Sequence, residues 1–210
     1  MPEPLIRITA VAASLPLENV DTDTIWPAMP GAPLTRGAQA RQAFHRLRFT
    51  PDGAEREEFV LNRQPWREAQ ILIAGDNFGC GSSREMAVWA LAEWGLRCVI
   101  APRFGDIFYN NCIYNGLLPV RLPRDTVDRL MALAANPATA TMTVDLEACT
   151  VTAGDFAASF AIADRARHGL LAGLDAIGLT LAASDRIAAF GKAYLETRSW
   201  AGGVDAGALS

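Results

Sequence analysis

Histidine is scarce in this 210-residue sequence; there are only two, His45 and His168. That scarcity limits the acid–base chemistry the chain can perform alone. The four cysteines, Cys80, Cys98, Cys112 and Cys149, stand far apart with no Cys-x-x-Cys pair. Such spacing suits neither a disulfide framework nor a self-contained zinc or iron–sulfur site. No basic run could track a phosphate backbone. A formal net charge of -4 and a pI near 5.2 argue against nucleic acid or an anionic membrane as partner. No apolar stretch approaches the ~18 residues of a membrane span. The apolar segment from Ile8 to Leu17 carries Thr9, Ser14 and Pro16, so it reads as strand and turn, not as a signal peptide. A cytoplasmic protein is expected, with no nucleic-acid and no membrane partner.

What is present is an ordinary globular composition, half of it hydrophobic and a fifth charged. It predicts one domain over residues 1–200 and a flexible Gly/Ala-rich tail over 201–210. Residues 5–13 read as a first strand closed by Pro16. A polar turn at 19–27, a Gly/Pro-rich loop at 29–37, a short helix around 38–46 and a charged excursion at 52–58 follow. Strands at 70–74, 97–101 and 117–121 then alternate with helices at 83–94, 104–114 and 124–134. That alternation implies an α/β fold with a mostly parallel central sheet and flanking helices. The last third is β-rich, with short strands at 142–146, 149–153 and 156–162, before helices near 164–172 and 184–197.

The most informative segment is the strand-to-helix turn 75–85, GDNFGCGSSRE. Its glycines allow positive φ and close backbone approach to a ligand. The amides and dipole of the following helix favour an anion, and Arg84 supplies a planar fork for a carboxylate. The same residues also read as plain capping: Ser82 or Ser83 as the cap, with Glu85 three residues after Ser82 as in a capping box. The turn is not a nucleophile elbow, because Gly-x-Ser-x-Gly is absent and neither histidine is close in sequence.

GDNFGCGSSRE together with VIAPRFGDIFYNNCIYNGLLPV at 99–120 closely resembles the swivelling domain of the aconitase superfamily. VDTDTIWPA at 20–28, FVLN at 59–62, GLDAIGLTL at 173–181 and SDRIAAF at 184–190 extend the likeness to the small-subunit family of the isopropylmalate isomerases. It runs from about residue 5 to 198. The resemblance implies an aconitase-like swivelling β/β/α domain. It also implies a hydro-lyase that interconverts 2-isopropylmalate and 3-isopropylmalate in leucine biosynthesis, active only with a large subunit. That partner would carry a 4Fe-4S cluster acting as Lewis acid on the leaving hydroxide, with no cofactor bound by this chain. Carried over by position, Ser82 is the base that removes the proton α to a carboxylate. Ser83 and Arg84 hold carboxylate of a small dicarboxylate substrate.

The resemblance also brings Asp23 and Thr24 to the cleft, although Asx-type capping accounts for the DTDT turn equally well. It assigns Met29, Leu34 and Arg36 to substrate recognition, in a loop that could also be an ordinary connection. Two features depart from the family pattern. Arg103-Phe104-Gly105-Asp106 stands where Ser-Phe-Ala-Asp is usual, and Met86 stands where histidine is common. Asp106 and Asn110 share a helix face and are expected to be structural. Cys80 is expected to be a small packed residue. The altered 29–37 loop keeps another 2-substituted malate open as substrate, citramalate or a homocitrate-like acid. A non-catalytic binding protein on the same fold is the reading from another class.

Overall fold

The computed structural model describes residues 2–29, 31–32 and 34–202; the tail beyond 202 lies outside the described residues. Nine residues from Arg7 to Leu15 form β1, ended by Pro16, and the short helix α1 (Thr22–Ile25) follows. Asp21 caps α1, its Oδ1 accepting the Thr24 amide at 2.6 Å. Between residues 38 and 48 there is no single helix. Phe44 takes a left-handed conformation, φ 52°, and splits the segment into a 3-10 turn and α2 (His45–Arg48). Then come β2 (Ile71–Ala74), α3 (Glu85–Trp94), β3 (Cys98–Ala101), α4 (Asp106–Tyr114), β4 (Leu118–Arg121) and α5 (Arg124–Ala134). The antiparallel strands β5 (Thr141–Asp145), β6 (Thr150–Ala153) and β7 (Phe156–Ser159) lead to α6 (Asp164–Ala172).

All seven strands join in one sheet of order β4-β3-β2-β1-β5-β6-β7. Pairing is parallel from β1 to β4 and antiparallel from β1 through β5 to β7. The period of two along each strand divides the core. Leu72, Ala74, Val99 and Ala101 face the cluster that contains α3 and α4 residues such as Leu91 and Phe108. Ile71, Ile73, Cys98 and Ile100 face the cluster that contains Val127 and Leu130 of α5 and Leu170 of α6. Helix α3 stops where the sequence places its stop. Gly95 has φ 115°, and the Leu96 amide reaches back to the Leu91 carbonyl at 3.0 Å.

Residues 1–175 form one compact unit and 176–210 a second. The second holds α7 (Ala176–Leu181), a helix within the segment expected only to separate two others, and α8 (Ser184–Thr197). In α8, Ile187, Phe190 and Tyr194 lie at helical spacing and are solvent-exposed. Among the described residues no helix is long and apolar enough to cross a membrane.

Candidate active site

In an open α/β sheet, ligands bind beyond the carboxyl ends of the parallel strands. Here those ends release three segments, 16–24 after β1, 75–84 after β2 and 102–105 after β3, and backbone hydrogen bonds lace them together. The Gly79 amide donates to the Val20 carbonyl at 2.7 Å and the Thr22 amide to the Cys80 carbonyl at 3.0 Å. On the other side the Phe78 amide donates to the Arg103 carbonyl at 3.0 Å, and the Gly105 amide to the Phe78 carbonyl at 2.9 Å. The middle loop is thus held from both flanks without side chains.

Two glycines make that spacing possible. Gly79 has φ +72°, and a Cβ there would lie 2.2 Å from Phe108 Cγ. At Gly105, where the family usually carries alanine, a Cβ would lie 2.5 Å from the Gly79 carbonyl oxygen. Arg103, in the same departing stretch as Gly105, is also absorbed locally. Arg103 donates from Nε to Asp76 Oδ1 at 2.8 Å and from Nη2 to Oδ2, clamping the start of the loop. Those bonds hold the Asp76 carboxyl below the usual carboxylate range.

Ser82 and Arg84 each meet a residue of the DTDT turn. Ser82 Oγ lies 2.6 Å from Thr22 Oγ1, and Thr22 is only 1% exposed. Arg84 Nη1 forms an ion pair with Asp23, and both side chains are partly exposed. The capping expectation is therefore corrected. Arg84 itself occupies the cap position of α3 in an extended conformation, and no side chain caps the helix. The physical reason is that the Ser82 hydroxyl is engaged by Thr22, away from the helix amides. Ser83 is exposed at the same helix start. The uncapped first turn of α3 presents amides and a positive dipole end beside a guanidinium, an arrangement suited to a carboxylate.

Thr22 is the residue that sequence reading passed over in favour of Thr24. Thr24 sits on α1, with its amide committed to Asp21. The signal was the capping aspartate: with Asp21 outside the helix, Thr22 becomes the first helical residue.

The 29–37 segment is placed differently. Met29 is half-buried and its carbonyl accepts the Ala32 amide at 3.0 Å, while Leu34 is 70% exposed. Its far end hooks onto α3, where the Glu93 carboxylate accepts the Gly37 amide at 2.7 Å and the Gln39 amide at 2.5 Å. Gln39 is buried and accepts Trp26 Nε1 at 2.6 Å. Arg36 lies over the Trp89 ring, 4.8 Å from its centroid, and donates to Asn115 Oδ1. Pro30 and Pro33 of this segment lie outside the described residues.

Met86, in the first turn of α3, packs against the core. The Cys80 thiol, within the loop, donates to the Asn19 carbonyl at 3.5 Å. Asp106 is exposed, 3.8 Å from Arg121, in a surface ion pair. A cleft of about 640 Å³ beside the end of β1, lined by Leu17, Leu47, Phe59, Arg63 and Trp66 among others, includes none of the candidate residues.

Comparison with known proteins shows the family. The family model described as Aconitase C-terminal domain matches residues 3–125, and the model LeuD_N matches residues 128–164. A 3-isopropylmalate dehydratase small subunit from Cereibacter sphaeroides is 49% identical over 195 residues, covering 92% of this chain and 97% of that protein. The chain belongs to the family of 3-isopropylmalate dehydratase small subunits. A relative of the same name from Brucella anthropi is 48% identical, over 93% of this chain and 98% of its own. A solved 3-isopropylmalate dehydratase structure from Methanocaldococcus jannaschii superposes with a TM-score of 0.63 at 25% identity, covering 89% of this chain and 99% of that one. The family match spans the three laced segments, so the 75–84 loop and its Thr22 and Asp23 contacts lie within it.

Proposed function

We propose that this chain is the small subunit of a cytoplasmic hydro-lyase that isomerises 2-isopropylmalate to 3-isopropylmalate in leucine biosynthesis. In this reading residues 1–200 act as a single swivelling domain. The observation that carries it is the Thr22–Ser82 contact of 2.6 Å beside an uncapped helix start and the Arg84 guanidinium.

Ser82 takes the proton from the carbon α to a carboxylate. The C–H electron pair becomes the alkene bond as hydroxide leaves the neighbouring carbon, and rehydration with the positions exchanged completes the isomerisation. A serine is a poor base in water, so its alkoxide needs support. With Ser82 ionised, Thr22 must be the donor across their 2.6 Å contact, and the first-turn amides of α3 add positive potential. Arg84 spends one nitrogen on Asp23, which orients it, and offers the remaining N–H groups to a substrate carboxylate. Ser83 lies at the same helix start and Thr24 one residue beyond Asp23, and both are assigned to substrate binding. Met29 and Leu34 meet the alkyl group, and Arg36 meets the second carboxylate.

The iron–sulfur cluster is assigned to the large subunit. Among the described residues no group of three His, Cys, Asp or Glu side chains could hold a metal. Cys98 and Cys112 are fully buried, and burial pushes both thiols up, away from the thiolate form a cluster requires. This chain does not fit the cluster, and none of the steps derived above runs through it.

The test is reconstitution with the cluster-loaded large subunit, assayed on 2-isopropylmalate, 2-methylmalate and a homocitrate-like acid. Turnover is expected only from the mixture, with preference for 2-isopropylmalate. A mixture faster on the methyl-substituted acid would remove the alkyl assignment. Absence of turnover on all three would favour a binding protein on the same fold.

A further inference from the structure

The side-chain carboxamide of Asn115, at the end of α4, makes four hydrogen bonds. Oδ1 accepts from Arg36 Nη2 and, at 3.0 Å, from Trp89 Nε1. Nδ2 donates to Glu85 Oε1 at 3.1 Å and to the Asn111 carbonyl at 2.8 Å. The amide orientation is fixed chemically, because an indole N–H can only donate and a backbone carbonyl can only accept. Both hydrogens and both acceptor directions of the carboxamide are then in use. The partners come from three parts of the site: Arg36 from the 29–37 segment, Glu85 and Trp89 from α3, and Asn111 from α4. Glu85 directly follows Arg84, so one carboxamide joins the recognition segment to the residue beside the carboxylate clamp.

Arg36 is exposed, on a segment that follows no regular element. A flexible guanidinium in that setting has no fixed position of its own. Stacking over Trp89 restricts its plane but leaves it free to slide; the Asn115 oxygen removes that freedom. We infer that Asn115 is a positioning residue that sets Arg36, and through it the hold on the substrate's second carboxylate, against the anion site at the start of α3. This rests on the preceding reading of Arg36 as a carboxylate contact. Asn115 does not touch Ser82, so its loss weakens recognition and leaves proton transfer in place.

The test uses the reconstituted two-subunit enzyme with Asn115→Leu, Asn115→Asp, Arg36→Ala and the double variant of Asn115→Leu with Arg36→Ala. Asn115→Leu is expected to raise KM for 2-isopropylmalate and for 2-methylmalate alike, about tenfold, and to keep kcat within about twofold, a single decade of binding. Asn115→Asp keeps both accepted hydrogen bonds but sets an oxygen against Glu85 Oε1 and the Asn111 carbonyl, so it is expected to recover only part of the lost affinity. Arg36→Ala is expected to match Asn115→Leu, and the double variant to add nothing, because the two act through one contact. If Asn115→Leu fails to fold, Asn115→Ser, too short to reach Arg36, carries the same expectation.

A fall in kcat at constant KM, an unchanged KM, or additive losses in the double variant would overturn the inference. Hydrogen exchange on the small subunit alone separates it from the catalytic assignment. Amides of residues 34–37 should exchange faster in Asn115→Leu while β1 to β3 stay protected, whether or not Ser82 is the base. Unchanged exchange at 34–37 would also overturn the positioning role.

Discussion

Two loops are fastened around α3 by different means. The 75–84 loop is fastened by main-chain hydrogen bonds to its neighbours on both sides, at Val20, Thr22, Arg103 and Gly105. The 29–39 segment is fastened mainly by side chains: Glu93 on two amides, Gln39 on Trp26, and Asn115 on Arg36. Main-chain bonds survive most substitutions, because every non-proline residue supplies the same donor and acceptor. Side-chain bonds change with a single residue. The loop proposed to carry the reaction is therefore held by bonds that most side chains leave in place, the tight sites at Gly79 and Gly105 apart, and the loop proposed to choose the substrate by bonds that one substitution removes.

The comparison breaks most sharply at Ser82. In the reconstituted enzyme, Ser82→Ala is expected to lower kcat about 10³- to 10⁴-fold, the upper range for removing a general base, with KM and thermal midpoint little changed. Turnover within tenfold of the parent would remove Ser82 from the proton transfer. The backbone scaffold is tested at Gly79. An alanine there must adopt φ +72° and drive its Cβ into Phe108, so Gly79→Ala should cost roughly 2–4 kcal/mol from overpacking and left-handed strain. Denaturant unfolding of the small subunit measures it, and a loss under about 1 kcal/mol would mean that the loop shifts freely. Thr22→Val keeps the shape and removes the hydroxyl. It should lower kcat about 10- to 100-fold, with partial recovery in Thr22→Ser, because a buried partner of the proposed base is lost.

Much of this was legible in the sequence, and the division between what was legible and what was not follows from range. The alternation of Ile71–Ala74, Cys98–Ala101 and Leu118–Arg121 with helices at 85–94, 106–114 and 124–134 is carried by local periodicity and glycine stops. The capping role of Ser82 or Ser83 was misread because Thr22 competes for the Ser82 hydroxyl from 60 residues away. No pattern near residue 82 encodes that contact. Phe44 broke an expected helix for the same reason: its buried ring is fixed by packing against Phe59, and local propensity yields to it. Asn115 and Glu93 were missed because each acts on a loop more than 50 residues earlier in sequence.

The selective loop should respond more gently than the catalytic one. Glu93→Gln keeps the size of the side chain but turns two charge-assisted bonds to the Gly37 and Gln39 amides into at most one neutral bond. It should raise KM about threefold to tenfold with kcat unchanged, in line with the ~1–2 kcal/mol separating charged from neutral hydrogen bonds. Equal losses in kcat and kcat/KM would mean that the segment helps build the reacting geometry, and the contrast between the loops would fail.

The smallest effect lies at His45, on the chain that leads away from the selective segment. Burial, followed by Arg41 and Arg48, holds its imidazole below the ordinary value. The unfolded chain then binds its proton first as pH falls, so stability is full above about pH 6.5 and declines as pH drops below it. His45→Gln should flatten that part of the stability profile between pH 7 and 5 and leave the substrate preference of the reconstituted enzyme untouched. A profile equally steep in the variant would assign the acid sensitivity to other groups. A changed preference would mean that the packing of His45 against Phe49, 4.9 Å between ring centres, reaches the recognition loop through the left-handed turn at Phe44.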